Sequence, residues 1–266
     1  MYAFDYRRPS TLAEAEQALS AVSGARLLAG GQSLIPAMKL RLNHPSCIVD
    51  LRGIAGLNSI SRKGDALVIG AMTTHAEIAE SAEVNGTIPG LVHLADGIGD
   101  PQVRNRGTIG GSLANNDPAA DYPAAVLALG ATLKTNRRSI ASDDFFKGLF
   151  TTALGDAEIL TEIAFPIPNR FAYAKFGNPA SRFAIVGVAV ADTAAGVRVA
   201  VTGARDNGVF RVAAMEAALA KSFAPESLTR IDVDPSGLAS DIHADADYRA
   251  HLIGVMARRA VKAALA

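Results

Sequence analysis

GDPQVRNRGTIGGSLANNDPAADYPA, residues 99–124, is the stretch on which the fold turns. Up to Pro118 it holds four glycines, two prolines and three asparagines, with no sustained apolar period. That composition predicts a long loop over 99–118, and long loops inside compact domains are functional or disordered. A helical pattern starts at Tyr122 and runs to Leu129. Within the stretch, Thr108-Ile109-Gly110-Gly111-Ser112 sets two adjacent glycines before a hydroxyl residue. The same arrangement occurs upstream at Ala29-Gly30-Gly31-Gln32-Ser33, directly after a strand expected over Arg26–Ala29. Adjacent glycines let a backbone turn tightly and approach another group closely. Successive N–H groups in such turns form a polarised hollow that suits phosphate oxygens. A diphosphate needs donors from more than one direction, and two such loops would supply them without a basic cluster. Either pair alone also reads as an ordinary turn.

Working outward, Thr11 and Glu14 have capping-box spacing, and Leu12, Ala15, Leu19 and Val22 share one helix face. A short helix is expected over Ser33–Leu42, a strand over Cys47–Leu51, and a hairpin from Leu57–Ser61 to Ala66–Met72 around Lys63-Gly64-Asp65. Helices are expected at Thr74–Ala82 and Ile88–Ile98, and strands at Ala131–Thr135, Glu158–Phe165 and Ala172–Phe176. A boundary falls at Pro166-Ile167-Pro168-Asn169 or at Gly177-Asn178-Pro179. Beyond it, Phe183–Ala191, Val197–Gly203 and Val209–Val212 form a small sheet, followed by helices Ala213–Ser222 and Asp247–Leu265.

The chain has 266 residues, 26 basic and 26 acidic, so its formal charge is zero and gives no general pull toward nucleic acid or anionic membrane. One cysteine, Cys47, excludes an internal disulfide framework, a Cys-built zinc site and an iron–sulfur cluster held by this chain alone. The five histidines fall in no metal-binding spacing. No signal-peptide core and no long apolar run is present, so a cytoplasmic location is expected. No Walker loop occurs; Gly97-Ile98-Gly99 fails as a dinucleotide fingerprint because position 102 is Gln; neither Ser33 nor Ser112 lies in a nucleophile elbow. Asp117 and Asp121 straddle Pro118, and one of them is expected to cap the helix at Tyr122. His75 is expected to be structural or superficial, Arg104 and Arg106 to be solvated loop residues, and Cys47 to be a buried, inert thiol.

AGGQSLIPAMKLRL (29–42), TTHAEIA (73–79), residues 99–124 above, ILTEIAFP (159–166) and the tail Ser240-Asp241-Ile242-His243-Ala244 resemble the FAD-binding medium subunit of molybdenum hydroxylases. The similarity spans essentially the whole chain. It is greatest to the type found in aerobic carbon monoxide dehydrogenase, and the flavin domain of xanthine dehydrogenase is a more distant relative. The resemblance implies an α+β fold: an FAD domain of the vanillyl-alcohol-oxidase (PCMH) type over residues 1–176, with subdomains of about 1–55 and 56–176. A C-terminal domain over 177–266 would carry a three-stranded antiparallel sheet and helices. It implies FAD contacts from Leu27, Leu28, Ala29, Gly30, Gly31, Gln32, Ser33 and Leu34 in a first loop. A second loop would add Thr108, Ile109, Gly110, Gly111 and Ser112. Ile98 would lie against the isoalloxazine, and Asp121, Leu160 and Lys175 would complete the site.

No catalytic acid or base and no metal ligand is expected in this chain. The family's whole enzyme would be a dimer of heterotrimers, with a molybdenum–pterin cofactor on a large subunit and two [2Fe-2S] clusters on a small one. The flavin would take electrons from those clusters and pass them to an external acceptor. The single cysteine suits that division and argues against the hydroxybenzoyl-CoA reductase branch. The family string carries Ala or His before Asp-Pro-Ala-Ala-Asp, where this chain has Asn115-Asn116. Two other readings stand beside this one: a self-contained flavoprotein reductase or oxidase on the same scaffold, and a non-enzymatic module whose FAD only stabilises a subunit interface. The substrate of the complex stays open.

Overall fold

Thr11 begins the first helix as its spacing predicts. Its hydroxyl accepts from the Glu14 N–H at 3.2 Å, and the Glu14 carboxylate accepts from the Thr11 N–H at 3.3 Å. The computed structural model describes residues 1–266. Helix α1 (Leu12–Ala21) buries Ala15 and Ala18 against a three-stranded parallel sheet of β1 (Asp5–Arg7), β2 (Arg26–Leu28) and β3 (Cys47–Asp50), in the order β1-β3-β2. Cys47 and Val49 face α1, and Cys47 is fully buried as expected. Ile48 points the other way, with Leu28, toward Met38 of the short helix α2 (Leu34–Lys39).

A second, antiparallel sheet has the order β4-β5-β10-β6-β7. Its strands are β4 (Ile60–Lys63), β5 (Ala66–Gly70), β6 (Thr132–Thr135), β7 (Ser139–Ala141) and β10 (Leu160–Pro166). The hairpin from β4 to β5 turns at Gly64 as the sequence predicts. Helices α3 (His75–Glu80), α4 (Ala82–Thr87) and α5 (Pro89–Asp96) pack together beside this sheet, sharing its core.

The expected long loop over 99–118 is in fact two short helices, α6 (Pro101–Arg104) and α7 (Ile109–Asn115). Capping starts them: Asp100 accepts from the Val103 N–H, and Thr108 from the Gly111 N–H. At four and seven residues they are too short to show an apolar period. Asn116 ends α7 in the left-handed conformation (φ 46°), and its amide donates to the carbonyls of Gly148 and Thr151, both at 2.8 Å. It thereby pins the small hairpin of β8 (Phe146–Gly148) and β9 (Thr151–Thr152), which comes after α9 (Ser142–Phe145). Left-handed backbone is tolerated by Asn better than by most residues, which gives the unusual asparagine at 116 a physical reason.

All eight side chains of α8 (Tyr122–Leu129) are buried, so the helix shows no amphipathic stripe. It lies within a core that reaches the antiparallel sheet on one side and a four-stranded antiparallel sheet on the other. The three antiparallel strands expected after residue 177 are present, and a fourth strand that starts before residue 177 joins their sheet. Its strands are β11 (Arg170–Gly177), β12 (Ala184–Thr193), β13 (Gly196–Thr202) and β14 (Phe210–Arg211). β11 pairs with β12 from Arg170 opposite Asp192 to Gly177 opposite Ala184, so a division at 176/177 would separate a strand from its partner.

The alternation along β12 and β13 explains the layering. Ala189, Ala191 and Ala200 face the α8 core, whereas Val186, Val188, Val190, Val199 and Val201 face α10 (Ala213–Lys221) and α11 (Ala246–Leu265). Small residues admit α8 closely, and each buried valine on the far side contributes about 1.5–3 kcal/mol. In α11, Leu252 and Met256 are buried, whereas Tyr248, four residues before Leu252, is exposed. Arg249 is buried, and its guanidinium donates to the carbonyls of Ile185 and Gly203 and to Asp241, which ties the 240–244 tail to the sheet. No helix is long and apolar enough to cross a membrane.

Candidate cofactor site

The chain leaves β2 at Leu28 and turns through Gly30-Gly31 into α2. A methyl group on Gly30 would stand 2.0 Å from the Arg106 carbonyl oxygen, so only glycine fits there. Gly31 has φ 75°, and a methyl group on it would meet Ile35 at 2.6 Å. A methyl group on Gly111 would reach Ala29 Cβ at 3.4 Å. The structure therefore brings the two glycine segments, far apart in sequence, into contact.

Their backbones differ. None of the six successive N–H groups from Ala29 to Leu34 donates to a protein acceptor, while Ala29, Gly30 and Gly31 are half-buried. Exposed Gln32 and Ser33 can donate to water, but half-buried N–H groups are nearly always partnered, so those of Ala29, Gly30 and Gly31 form a donor set open to a group outside the chain. The second segment is closed. Ile109 N–H donates to Thr73 O at 3.0 Å, Gly110 to Ala71 O at 2.8 Å, Gly111 to Thr108 Oγ1 at 3.1 Å and Ser112 to Thr108 O at 3.0 Å. A methyl group on Gly110 would lie 2.6 Å from Ala71 O, so this glycine serves the contact between α7 and the chain after β5. The expectation of two N–H hollows is thus corrected to one, with the second segment as its wall.

Residues 98–106 link this hollow to a group of charges. The carbonyls of Gly97, Ile98 and Gly99 each accept from a cation: Gly97 from Lys175 (2.8 Å), Ile98 from Arg104 (3.1 Å), and Gly99 from Arg104 (3.2 Å) and Arg182 (3.0 Å). Arg104 is not the solvated loop residue expected, since it also meets Asp96 at 3.3 Å with its side chain largely covered. Lys175 spends its remaining donors on Asp121 (3.1 Å) and the Arg182 carbonyl (2.9 Å).

Asp121 does not cap α8. Its buried carboxylate accepts from Lys175 and from the Tyr173 hydroxyl. Burial pushes that carboxyl up, and Lys175 and Tyr173 pull against the rise. The Asp117 carboxylate accepts from the Ala119 N–H at 2.9 Å and stays local. Leu160 is buried at the start of β10, Ile98 is half-buried, and Leu27 and Leu34 are half-buried beside the hollow.

Sequence reasoning missed Tyr173 and Arg182, which no spacing marks. It also left His75 undecided. His75 is buried beneath residue 107, where a methyl group would lie 2.6 Å from its Nε2. Burial, reinforced by the charge of Arg104, lowers its pKa to about 4, so it is neutral. Its ring sits 5.3 Å from that of Tyr122. His75 Nδ1, the Tyr122 hydroxyl and the Thr73 hydroxyl are buried without a protein partner.

A run of free N–H groups at a strand-to-helix turn, walled by a second glycine turn, suits the oxygens of a phosphate or another anion. Residues 2–168 match the family described as FAD binding domain in molybdopterin dehydrogenase. The chain belongs to the FAD-binding medium subunits of the molybdenum hydroxylases. It is 36% identical to the carbon monoxide dehydrogenase medium chain of Hydrogenophaga pseudoflava over 99% of this chain and 97% of that one. It is 35% identical to the nicotine 6-hydroxylase medium subunit of Paenarthrobacter nicotinovorans over 97% and 96% of the two chains. Among solved structures, reconstituted CO dehydrogenase from Oligotropha carboxidovorans superposes with a TM-score of 0.91 at 34% identity, covering 99% of this chain and 98% of that one.

Proposed function

We propose that this chain is the electron-transfer subunit of a heterotrimeric molybdenum hydroxylase, and that the N–H groups of Ala29–Leu34 grip the diphosphate of its FAD. The flavin, when bound, takes electrons from [2Fe-2S] clusters on a small partner subunit, downstream of a molybdenum–pterin centre on a large one, and gives them to an external acceptor. The observation that carries the reading is the run of six unpaired donors, since a dinucleotide phosphate is an anion that such a run satisfies without any lysine. Gly111 and Ser112 supply the opposite wall, and Gly30 keeps the hollow closed against Arg106. Thr108 and Ile109 hold that wall in register through Thr73 and Gly111.

Ile98, Asp121, Leu160 and Lys175 complete the proposed site. With all three ammonium donors engaged, Lys175 acts by fixing the Gly97 and Arg182 carbonyls and compensating Asp121. Replacing it (Lys175→Met) leaves the buried Asp121 carboxylate without a counter-charge, with only the Tyr173 hydroxyl as partner, and is expected to cost about 3–5 kcal/mol. Thermal melts of the apo chain measure this, and an unchanged Tm rules out that role. The reading as a whole is tested by purifying the tagged chain from cells that make all chains of the complex. Stoichiometric FAD, with iron and molybdenum on co-purifying chains, supports it. A chain that stays colourless after reconstitution with FAD sinks it.

A further inference from the structure

Two glycines and two aromatic rings form a continuous stack between the two ends of the proposed cofactor site. Toward the hollow, the layers touch with no side chain between them. A methyl group on Gly30 would stand 2.0 Å from the Arg106 carbonyl oxygen and 2.7 Å from Gly107 Cα. One on Gly107 would stand 2.6 Å from His75 Nε2 and 2.8 Å from its Cδ2. Gly30 therefore rests on the Arg106–Gly107 peptide, and that peptide rests on the imidazole. Gly107 is held there at both of its polar groups: its carbonyl accepts from the His75 N–H at 3.0 Å, and its N–H donates to Val103 O at 2.7 Å. On its other side the imidazole lies 5.3 Å from the ring of Tyr122, which is fully buried and follows Asp121 in the chain. The stack of Gly30, Gly107, His75 and Tyr122 thus runs from the donor run of Ala29–Leu34 to the Asp121–Lys175 ion pair.

Two observations mark the imidazole as more than filling. Neither Gly30 nor Gly107 lies in the left-handed region, so the backbone there admits any residue, and only the close approach excludes a side chain. His75 Nδ1 is also buried without a protein partner, a cost that an aliphatic side chain would avoid. Histidine carries the smallest ring among the side chains, and here it fills the gap between Tyr122 and a residue 107 that has no Cβ. We propose that His75 is a positioning residue for the cofactor. Wedged between Tyr122 and Gly107, its imidazole fixes how far the Ala29–Leu34 hollow stands from Asp121 and Lys175, and so the span over which one dinucleotide is gripped at both ends. This rests on the reading that the hollow takes the diphosphate of FAD. The imidazole acts through residue 107 rather than on the cofactor itself.

The test is a cycle of Gly107→Ala and His75→Ala, singly and together, in the full chain, each titrated with FAD well below its own Tm. Gly107→Ala presses a methyl group on the imidazole and is expected to weaken FAD binding about tenfold. His75→Ala removes the support beneath residue 107 and is expected to weaken it by a similar factor. In the double variant the methyl group enters the space the ring has left, and affinity is expected to return to within about threefold of wild type. Phosphorus NMR of the bound FAD should show the diphosphate resonances displaced in each single variant and restored in the double one, a signature that a loss of stability alone does not produce. Losses that multiply in the double variant overturn the proposal, and so do single variants with wild-type affinity and unmoved resonances. If His75→Ala does not fold, His75→Asn, which keeps part of the bulk of the ring, takes its place in the same cycle. A wild-type chain that takes up no FAD defeats the functional reading itself, before any variant is made, and the positioning role falls with it.

Discussion

The two glycine turns look alike in sequence and do opposite work. In the Ala29–Ser33 turn the backbone N–H groups are left free; in the other turn every one of them from Ile109 to Ser112 is consumed by Ala71, Thr73 or Thr108. The difference lies in the residues that flank each pair. After Gly31 the chain needs two more residues before α2 begins, and Ser33 makes no side-chain cap. Thr108 caps α7 at once and also bridges to Thr74. A Gly-Gly pair therefore signals a close backbone approach, and only its hydrogen-bond surroundings tell whether the approach is to a ligand or to the protein itself.

The largest expected effect separates the turns outright. Gly30→Val would drive a side chain into the Arg106 carbonyl and is expected to weaken FAD binding by about a thousandfold. Titration of the apo chain with FAD reads this directly, and retention of normal affinity would break the distinction.

Beneath the second turn, His75 makes the fold acid-sensitive. Its pKa is about 4 in the folded chain against 6.5 in the unfolded one, so the unfolded chain binds more protons between those values. Stability is expected to fall by about 3 kcal/mol as pH drops from 6.5 to 4. His75→Leu should flatten that slope in urea melts taken across the window; a slope that persists assigns it elsewhere.

Gly110→Val should then cost about 1–3 kcal/mol of stability by crowding Ala71, while the fraction that folds still binds FAD. A variant with normal Tm and no FAD would mean that the second turn, too, is a ligand contact first. The smallest effect is expected for Thr108→Val, which loses the α7 cap and costs about 1 kcal/mol, a Tm shift of about 2–4 °C.

Much of the fold is legible in the chain because the signals are local. The Thr11–Glu14 box, the Lys63–Asp65 hairpin and the Tyr122–Leu129 helix all appear where spacing puts them. Helices α6 and α7 are not legible, because their stability comes from caps and packing rather than from an apolar period. β11 is legible as a strand over Ala172–Phe176, but its membership of the last sheet is not, since its pairing with β12 is made across the connection from Asn178 to Phe183. At the site, both glycine segments are visible, and so is their likeness to a known family. Which of them keeps its N–H groups free is invisible, because it depends on carbonyls at Ala71 and Thr73, dozens of residues away.

Helix α8, apolar on every side, makes the two halves of the chain interdependent. A gene ended near residue 168, where the family segment stops, would strip the lid from one flank of α8 and bare its apolar side chains to water. Such a fragment is expected to aggregate, and the intact polypeptide to melt in a single calorimetric transition. Engineers wishing to transplant the flavin half should carry the last hundred residues along with it.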